Sequence, residues 1–335
     1  MANLVSNYKN FKGESAPAKM AILDGTSTEK IILKIVMYHN DENKEACYND
    51  LYNESKKRGG DLVKITTVMD NKAGEQKSLT AKHGLSFFVE TGKSKILFDF
   101  GAGKAAYDNA RKLNIGMEDI NYAIGSHGHY DHAGGYPEFV KEGLRCPLYT
   151  GAGYFEEKYA RDGVKATYLG CGFDETWMKK QGLEHRICDG FLELEPGCYL
   201  VGSFERTHDF EQIPDRFVRR LDDQWIKDDF SDEICMVLDG EEGQTVIVGC
   251  SHPGILNILA TVQKHFGRPI RAVFGGTHLV EADADRIRVT LDQMKQMGVG
   301  LIGFNHCSGE QLQQIMDQET QLKHCYLGAG DCLYL

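Results

Sequence analysis

Short stretches rich in apolar residues, separated by turn residues, predict a series of strands in the first third of the chain. Leu62–Val68 alternates with period two, and Leu85–Glu90 and Lys95–Phe100 follow it closely, separated by turn residues. Such alternation gives each strand one face for a core. We therefore predict a β-rich region of hairpin-linked strands here. Upstream, Ile31–Val36 predicts a further strand and Asp41–Arg58 a charged helix.

Further along, strands alternate with helices, which is typical of layered α/β structure. The predicted strands are Tyr122–Ile124, Thr245–Val248, Ala272–Phe274 and Leu301–Phe304. The predicted helices are Ala105–Leu113, Ile255–His265 and Asp283–Met297. A histidine follows every one of these strands within a few residues. Because layered sheets deliver ligands at strand ends, we expect these histidines to share one site.

Two segments lack this rhythm. Residues 1–61 begin with a polar stretch rich in Lys, Ser, Asn and Gly, and we predict a partly ordered N-terminal extension. Residues 62–335 are predicted to form one domain. Within it, about 137–232 is rich in Gly, Tyr and charge, and we interpret it as an insertion that shapes the substrate pocket.

Composition narrows the class of protein. The hydrophobic content of 41% and charged content of 26% are typical of a soluble globular chain. A net charge of −11 leaves no basic face for phosphate backbones, so we expect no nucleic-acid partner. Ten scattered cysteines and a charged start without an apolar leader favour the reducing cytoplasm. No apolar run reaches the roughly 18 residues that cross a bilayer, so no membrane partner is expected.

One hexapeptide carries the candidate chemistry. His127–His132 reads HGHYDH and offers four metal ligands. On extended backbone, His127 and His129 point the same way because they are two residues apart. Asp131 and His132 follow on a tight turn and can point to a second position nearby. Imidazole with carboxylate suits zinc, manganese or iron, and the apolar strand before the hexapeptide disfavours a chance surface cluster.

HGHYDH matches the HxHxDH signature, and the chain thereby resembles the metallo-β-lactamase superfamily. That resemblance implies an α/β fold, an αββα sandwich that holds one or two metal ions. The segments KHGLSFFVETGKSKILFDFG, SHGHYDHAGG, VGCSHPGILNI, GGTHL and HCSG are together similar to one branch of the superfamily. This branch holds the archaeal dihydropterin–ribofuranosylaminobenzene phosphate synthase of methanopterin formation and many bacterial metal-dependent hydrolases. The resemblance extends from about Leu62 to Leu335.

The resemblance also implies roles for the strand-end residues. It places one metal at His127, His129 and His252, and another at Asp131, His132 and His306. Where superfamily members commonly have a bridging aspartate, this chain has Cys250, which is either a thiolate ligand or an inert buried thiol. Packing roles are the alternative for His252 and His306. His278 is a ligand or an acid–base group, with the second favoured, and we assign it and Asp131 as catalytic. His208 lies where many members place a third histidine, but the branch does not require it.

Several functions are compatible with such a site. Two divalent ions, preferably zinc with manganese or iron allowed, lower the pKa of a shared water and polarise a carbonyl or phosphoryl oxygen. Asp131 can accept a proton beside them. This favours a hydrolase of a small ester, lactone or phosphoester that acts through a metal-bound hydroxide.

A dihydropterin-type phosphate synthase, which forms a C–C bond on a phosphorylated substrate, is the first alternative. A redox diiron protein is the second, disfavoured because such relatives carry Glu at the position of His129. The expected partner is a small molecule, phosphorylated under the synthase hypothesis, and a homo-oligomer is left open.

Overall fold

A computed structural model describes residues 63–335 and, upstream of them, the backbone of two strands. These are β1 (Met20–Leu23) and β2 (Leu33–Val36), which pair antiparallel. The strand predicted at Ile31–Val36 therefore corresponds to β2. The helix predicted at Asp41–Arg58 and the rest of the N-terminal extension lie outside the described residues. In the described part of the chain, no helix is long and apolar enough to cross a membrane.

Short strands make up most of the regular structure after β2. Their bounds are β3 (Lys64–Met69), β4 (Ser86–Glu90), β5 (Lys95–Phe98), β6 (Tyr122–Ile124), β7 (Leu148–Gly151), β8 (Glu157–Asp162), β9 (Lys165–Tyr168), β10 (His185–Cys188), β11 (Phe191–Glu195), β12 (Cys198–Val201), β13 (Phe217–Leu221), β14 (Gln224–Lys227), β15 (Cys235–Gly240), β16 (Gly243–Ile247), β17 (Ile270–Gly275), β18 (Leu301–Phe304), β19 (Lys323–Tyr326) and β20 (Cys332–Tyr334). The helices are α1 (Lys104–Lys112), α2 (Tyr130–Ala133), α3 (Tyr136–Lys141), α4 (Glu175–Lys180), α5 (Ile255–Phe266), α6 (Ala284–Gln296) and α7 (Glu310–Met316).

Two seven-stranded sheets organise these elements. The first has the order β10-β7-β6-β5-β4-β3-β20, and its strands β5, β6, β7 and β10 run parallel. The second has the order β11-β12-β15-β16-β17-β18-β19, with β16 to β19 parallel. The strands predicted at Leu62–Val68, Leu85–Glu90 and Lys95–Phe100 are β3, β4 and β5, and they pair as an antiparallel meander.

Apolar side chains bind the sheets and helices into four layers. Phe87 of the first sheet packs in one core with Phe274 of the second, so the two sheets face each other. Phe139 of α3 belongs to a core on the outer face of the first sheet. Leu259 of α5 and Leu291 of α6 cover the outer face of the second. Burying each such side chain contributes about 1.5–3 kcal/mol. The arrangement is the αββα sandwich that the resemblance implied.

Local sequence sets the helix ends that frame the site. α6 begins after Asp283, whose carboxylate accepts a hydrogen bond of 2.8 Å from the Arg286 amide. α5 ends at Gly267, which adopts the left-handed conformation (φ 64°) that terminates helices without strain. Both boundaries lie within a residue or two of the predicted ones.

The stretch 137–232 is divided among three sheets. β7 and β10 lie in the first large sheet, and β11 and β12 lie in the second. The remaining strands form a separate four-stranded antiparallel sheet in the order β14-β13-β8-β9. We call this the small sheet. It adjoins the ends of the strands that carry the histidines.

Candidate metal centre

The candidate site lies where the carboxyl ends of parallel strands from both large sheets meet. β5 and β6 are parallel neighbours in the first sheet, as are β16, β17 and β18 in the second. Parallel neighbours end at the same edge of a sheet, where α/β proteins bind ligands. His127 follows β6, and His252, His278 and His306 follow β16, β17 and β18 in turn. The topology therefore gathers the predicted histidines at one edge.

Sharp turns at these strand ends carry the side chains into the site. Left-handed backbone occurs at Asp99 (φ 57°), Ser251 (φ 62°), His278 (φ 48°) and His306 (φ 50°). Each such residue costs about 1–3 kcal/mol, and this kind of strain is concentrated at functional sites. Hydrogen bonds hold the turns in place: the His306 amide, for example, donates to Asp70 Oδ1 at 2.8 Å.

His127, His129 and His252 form a compact triad. Their ring centroids are 4.7–4.9 Å apart, and one nitrogen of each lies within 4.8 Å of the others. Burial lowers the pKa of all three imidazoles well below the usual value. They are therefore neutral and have lone pairs to offer, as metal ligands must.

The hydrogen bonding of the triad is consistent with a bound metal ion. Among the described residues, no hydrogen-bond partner reaches Nε2 of His127, Nε2 of His129 or either ring nitrogen of His252, although all are buried. Buried polar atoms almost always have partners, and leaving one unpaired costs about 1–3 kcal/mol. Three convergent imidazoles with unpaired nitrogens fit a divalent ion such as Zn²⁺, which accepts such ligands.

A second group of ligands adjoins the triad. His132 Nε2 lies 3.1 Å from both Cys250 Sγ and His306 Nε2. Asp131 Oδ2 lies 3.3 Å from His306 Nε2 and 3.9 Å from His132 Nε2. Two nitrogens on one tetrahedral zinc are separated by about 3.3 Å, given zinc–nitrogen bonds of about 2.05 Å. The spacing of this second group therefore also fits a metal ion.

Cys250 lies between the two groups. Its Sγ falls within 4.8 Å of ligand nitrogens of both His127 and His132, whose ring centroids are 4.3 Å apart. This is where a ligand shared by two metals would stand. The structure thus brings together all seven residues predicted as ligands.

Buried hydrogen-bond acceptors orient His132 and His127 through the ring nitrogen that faces away from the site. Asp99 Oδ2 accepts hydrogen bonds from His132 Nδ1 (2.6 Å) and from Ser126 Oγ (2.8 Å). Ser126 Oγ in turn accepts from His127 Nδ1 at 3.0 Å. Burial alone would lower the pKa of His132, but the carboxylates of Asp99 and Asp131 raise it to about 9. Because Nδ1 of each ring bonds to one of these acceptors, Nε2 is turned toward the site, an arrangement common around metal ligands.

The other two histidines considered from the sequence, His278 and His208, lie outside the ligand groups. His278 is partly buried, with its ring centroid 4.3 Å from that of His252, and it is absent from the ligand groups of the described residues. Burial, reinforced by Arg216, lowers the pKa of His278 to about 4. His208 Nδ1 lies 3.3 Å from Asn257 Oδ1 at the start of α5, and it too is outside those groups.

Two residues that were not among the predicted ligands, His83 and Cys307, join the site. His83 Nε2 lies 3.0 Å from Asp131 Oδ2, and the ring is the most exposed of the cluster. Cys307 Sγ lies within 4.8 Å of Cys250 Sγ and a ring nitrogen of His306. Both belong to segments that carried the family resemblance, AKHGLSFF and HCSG, and this was the available signal.

A buried ion cluster ties the small sheet to the hexapeptide. Lys158 of β8 donates from Nζ to Asp228 Oδ2 and Asp232 Oδ1, both at 2.9 Å. Asp232 Oδ2 accepts from the Gly128 amide at 2.8 Å, and a Cβ on Gly128 would collide with the Tyr154 carbonyl oxygen. The Asp232 carboxylate thus holds the backbone between the first two histidines.

Aromatic rings close the same side of the site. Phe230 stacks on His252 at 3.8 Å, with an interplanar angle of 13°. Phe217, the first residue of β13, packs against His252 with ring centroids 5.3 Å apart. The guanidinium of Arg216 lies over the Phe217 ring at 4.3 Å and pairs with Glu281. Arg286 has a buried Nε without a partner among the described residues. This side therefore combines an apolar wall with two guanidinium groups at its rim, one of them paired with Glu281.

Comparison with known proteins agrees with this geometry. The family model of the Metallo-beta-lactamase superfamily matches residues 79–170. The chain is 31% identical over 282 residues to the 7,8-dihydropterin-6-methyl-4-(β-D-ribofuranosyl)-aminobenzene-5'-phosphate synthase of Methanocaldococcus jannaschii, covering 81% of this chain and 96% of that protein. An uncharacterised protein of the same archaeon is 28% identical over 251 residues, covering 74% and 91%.

Among solved structures, the chain is similar to Tm1679, described as a metal-dependent hydrolase of the β-lactamase superfamily. The TM-score is 0.70 at 28% identity, with 81% of this chain and 98% of the other covered. The metallo-β-lactamase-fold protein YhfI of Bacillus subtilis matches at a TM-score of 0.50 and 12% identity, which bears on the fold alone.

Proposed function

The chain belongs to the metallo-β-lactamase superfamily, and from that premise we propose that it is a metal-dependent hydrolase of a small ester, lactone or phosphoester. The observation that carries this proposal is the pair of adjacent ligand groups. The triad of His127, His129 and His252 has unpaired nitrogens, and the group around His132 and His306 begins 4.3 Å away, ring to ring. Two ions held this close favour hydrolysis over binding alone.

The proposed chemistry divides between the metals and the chain. Metal ions at these positions, zinc by preference, would supply a nucleophilic hydroxide near neutral pH and polarise the reacting oxygen. Asp131, within hydrogen-bond distance of His83 and His306, is placed to accept and return a proton. His278 would contact the substrate, since its ring lies beside His252 and is only partly buried. Phe217 and Phe230 exclude water from the triad.

We further propose that the substrate carries a phosphate or another anionic group. Arg216 and Arg286 are the supporting residues, because both guanidinium groups lie close enough to His278 to lower its pKa. Arginine binds phosphate through paired, charge-assisted hydrogen bonds. Arg216 also rests on the aromatic wall, so an anion bound there would be joined to a planar or apolar moiety over Phe217.

The test is a hydrolysis panel of phosphodiesters, lactones and thioesters with protein reconstituted in Zn²⁺ or Mn²⁺. We expect turnover of one class, loss on chelation, and recovery when the metal is restored. Arg216→Ala should raise KM about tenfold for a phosphorylated ester, because the variant loses one charge-assisted hydrogen bond to the substrate. It should leave KM for the unphosphorylated analogue unchanged. Metal-replete protein that hydrolyses nothing in the panel would overturn the proposal.

A synthase is the second candidate, favoured by one observation. The M. jannaschii synthase aligns over nearly its whole length at 31% identity. A C–C bond-forming reaction would use the same site to stabilise charge on a phosphorylated substrate. Incubation with dihydropterin diphosphate and ribofuranosylaminobenzene phosphate separates the two. Product formed only when both compounds are present, with no hydrolysis of the panel, would establish the synthase in place of the hydrolase.

A further inference from the structure

Two thiols stand side by side at the candidate metal centre. Cys250 follows β16 and Cys307 follows β18, so parallel neighbours around β17 bring them to the same edge. Their Sγ atoms lie within 4.8 Å of each other and of a ring nitrogen of His306. Both are buried, and neither is in a disulfide.

His306 stands between two different sets of donors. In the first set, His83 and Asp131 offer a nitrogen and an oxygen within 4.8 Å of a ring nitrogen of His306. In the second set, Cys250 and Cys307 offer two sulfurs within the same distance. A metal ion at His306 can be held by the first set, the second set or a mixture.

We propose that Cys250 and Cys307 both ligate the second metal, together with His132 and His306, so that this position is a sulfur-rich Cys2His2 site. The inference rests on the proposed metal-dependent function and deepens it. It adds Cys307 to the ligands and specifies a borderline-soft ion such as Zn²⁺ or Co²⁺ over Mg²⁺ or Ca²⁺. Asp131 then lies outside the ligand set of this metal and keeps its contacts with His83 and His306.

The spacing and the surroundings support the sulfur set. Sulfurs on one tetrahedral zinc lie about 3.8 Å apart, given zinc–sulfur bonds of about 2.3 Å. The two thiols therefore need to approach by less than about 1 Å, whereas a disulfide needs them at about 2.05 Å. His132 Nε2, at 3.1 Å from Cys250 Sγ, is already at ligand spacing. Cys307 Sγ also donates a hydrogen bond of 3.5 Å to the Cys250 carbonyl oxygen.

Exposure decides which set the metal takes. The side chain of His83 is 58% exposed, so holding it as a ligand costs conformational freedom that the buried thiols have already lost. Ligation releases one proton from each thiol, and a divalent ion then balances two buried thiolates.

Cobalt substitution tests the proposal directly. Thiolate ligands give Co²⁺ a near-ultraviolet charge-transfer band whose intensity follows the number of sulfurs bound. The full chain, stripped of metal and titrated with Co²⁺, should show this band. Cys307→Ser should keep about half of its intensity, as should Cys250→Ser, since one of two thiolates remains in each. Cys146→Ser is the matched control and should keep the full band, because Cys146 precedes β7 at the opposite edge of the sheet.

A measurement on the unaltered protein guards against misfolded variants. Alkylation followed by peptide mapping should modify Cys250 and Cys307 more slowly with Zn²⁺ bound than without it. A full Co²⁺ band in Cys307→Ser, or equal alkylation of Cys307 with and without Zn²⁺, would overturn the sulfur site. If the protein still hydrolysed its substrate in that case, the proposed hydrolase function would be retained without the sulfur site. Thiolate ligation without hydrolysis of any ester would leave the sulfur site and remove the hydrolase.

Discussion

Replacing Lys158 with methionine should destabilise the protein strongly. The Lys158 side chain is 1% exposed, and its partners Asp228 and Asp232 are 1% and 2% exposed. Methionine has nearly the same length, so the substitution removes the charge with little change in packing. Asp232 then has no cationic partner among the described residues, and Asp228 keeps only Arg219, at 3.8 Å.

Removing one member of a buried ion pair costs about 3–5 kcal/mol, because the other charge stays buried and uncompensated. At about 2 °C per kcal/mol for a chain of this size, the melting temperature should fall by about 6–10 °C. The damage should also reach the metal centre, since Asp232 holds the Gly128 amide between His127 and His129. We therefore expect weaker metal binding in the same variant.

Thermal and urea unfolding of the metal-free protein provide the measurement. Lys104→Met is the matched control: Lys104 pairs with Asp108 on the exposed face of α1, so its removal should have no measurable effect. Lys158→Met combined with Asp232→Asn should recover part of the loss by removing the stranded charge. Solvent-exposed ion pairs contribute less than about 1 kcal/mol to stability. If Lys158→Met lowered the free energy of unfolding by no more than this, the cluster would not be desolvated and the argument would be refuted.

Three further predictions follow from individual contacts. His129→Ala should lower the bound metal, measured by elemental analysis, from close to two ions per chain and abolish turnover; full metal content would contradict its place in the triad. His83→Gln should keep the metal and lower kcat by about tenfold, since His83 Nε2 touches only Asp131 among the ligands. Burial raises the pKa of Asp331 to about 6, so the folded state binds this proton more tightly and loses stability as pH rises from 3.8 to about 6. Asp331→Asn should remove that loss. If the free energy of unfolding changed equally with pH in the two proteins across this range, the prediction would be wrong.

Much of the fold could be predicted because burial leaves a readable pattern. Leu62–Val68 alternates with period two, and Ala272–Phe274 of β17 and Leu301–Phe304 of β18 are short apolar runs, as is typical of parallel strands covered on both faces. The hexapeptide was equally readable, since four ligand residues stand within six positions. His252, His278 and His306 each follow a predicted strand by only a few residues. Prediction of the strands therefore also located these side chains.

The small sheet and the contacts between distant segments could not be predicted in this way. β9 is exposed along its whole length, so no alternation marks it as a strand. Lys158 and Asp232 are 74 residues apart, and a lysine in a charged stretch ordinarily predicts a solvated surface. His83 and Cys307 likewise enter the site only through sheet pairing, since local sequence gives either residue no sign of a partner.

The division between the large sheets and the small sheet has a consequence for specificity. The candidate ligands lie on turns that follow strands of the two large sheets. Close packing in the apolar cores of these sheets holds the strands, and therefore the turns, in fixed positions. Phe217 and the loop that carries Phe230 instead come from the small sheet and the chain that follows it, and they form the wall beside His252. Changes in that wall can alter which substrate reaches the metals without moving a ligand. The exception is Lys158, because its carboxylate partner holds the hexapeptide itself, and there a change in the small sheet must also change the metal site.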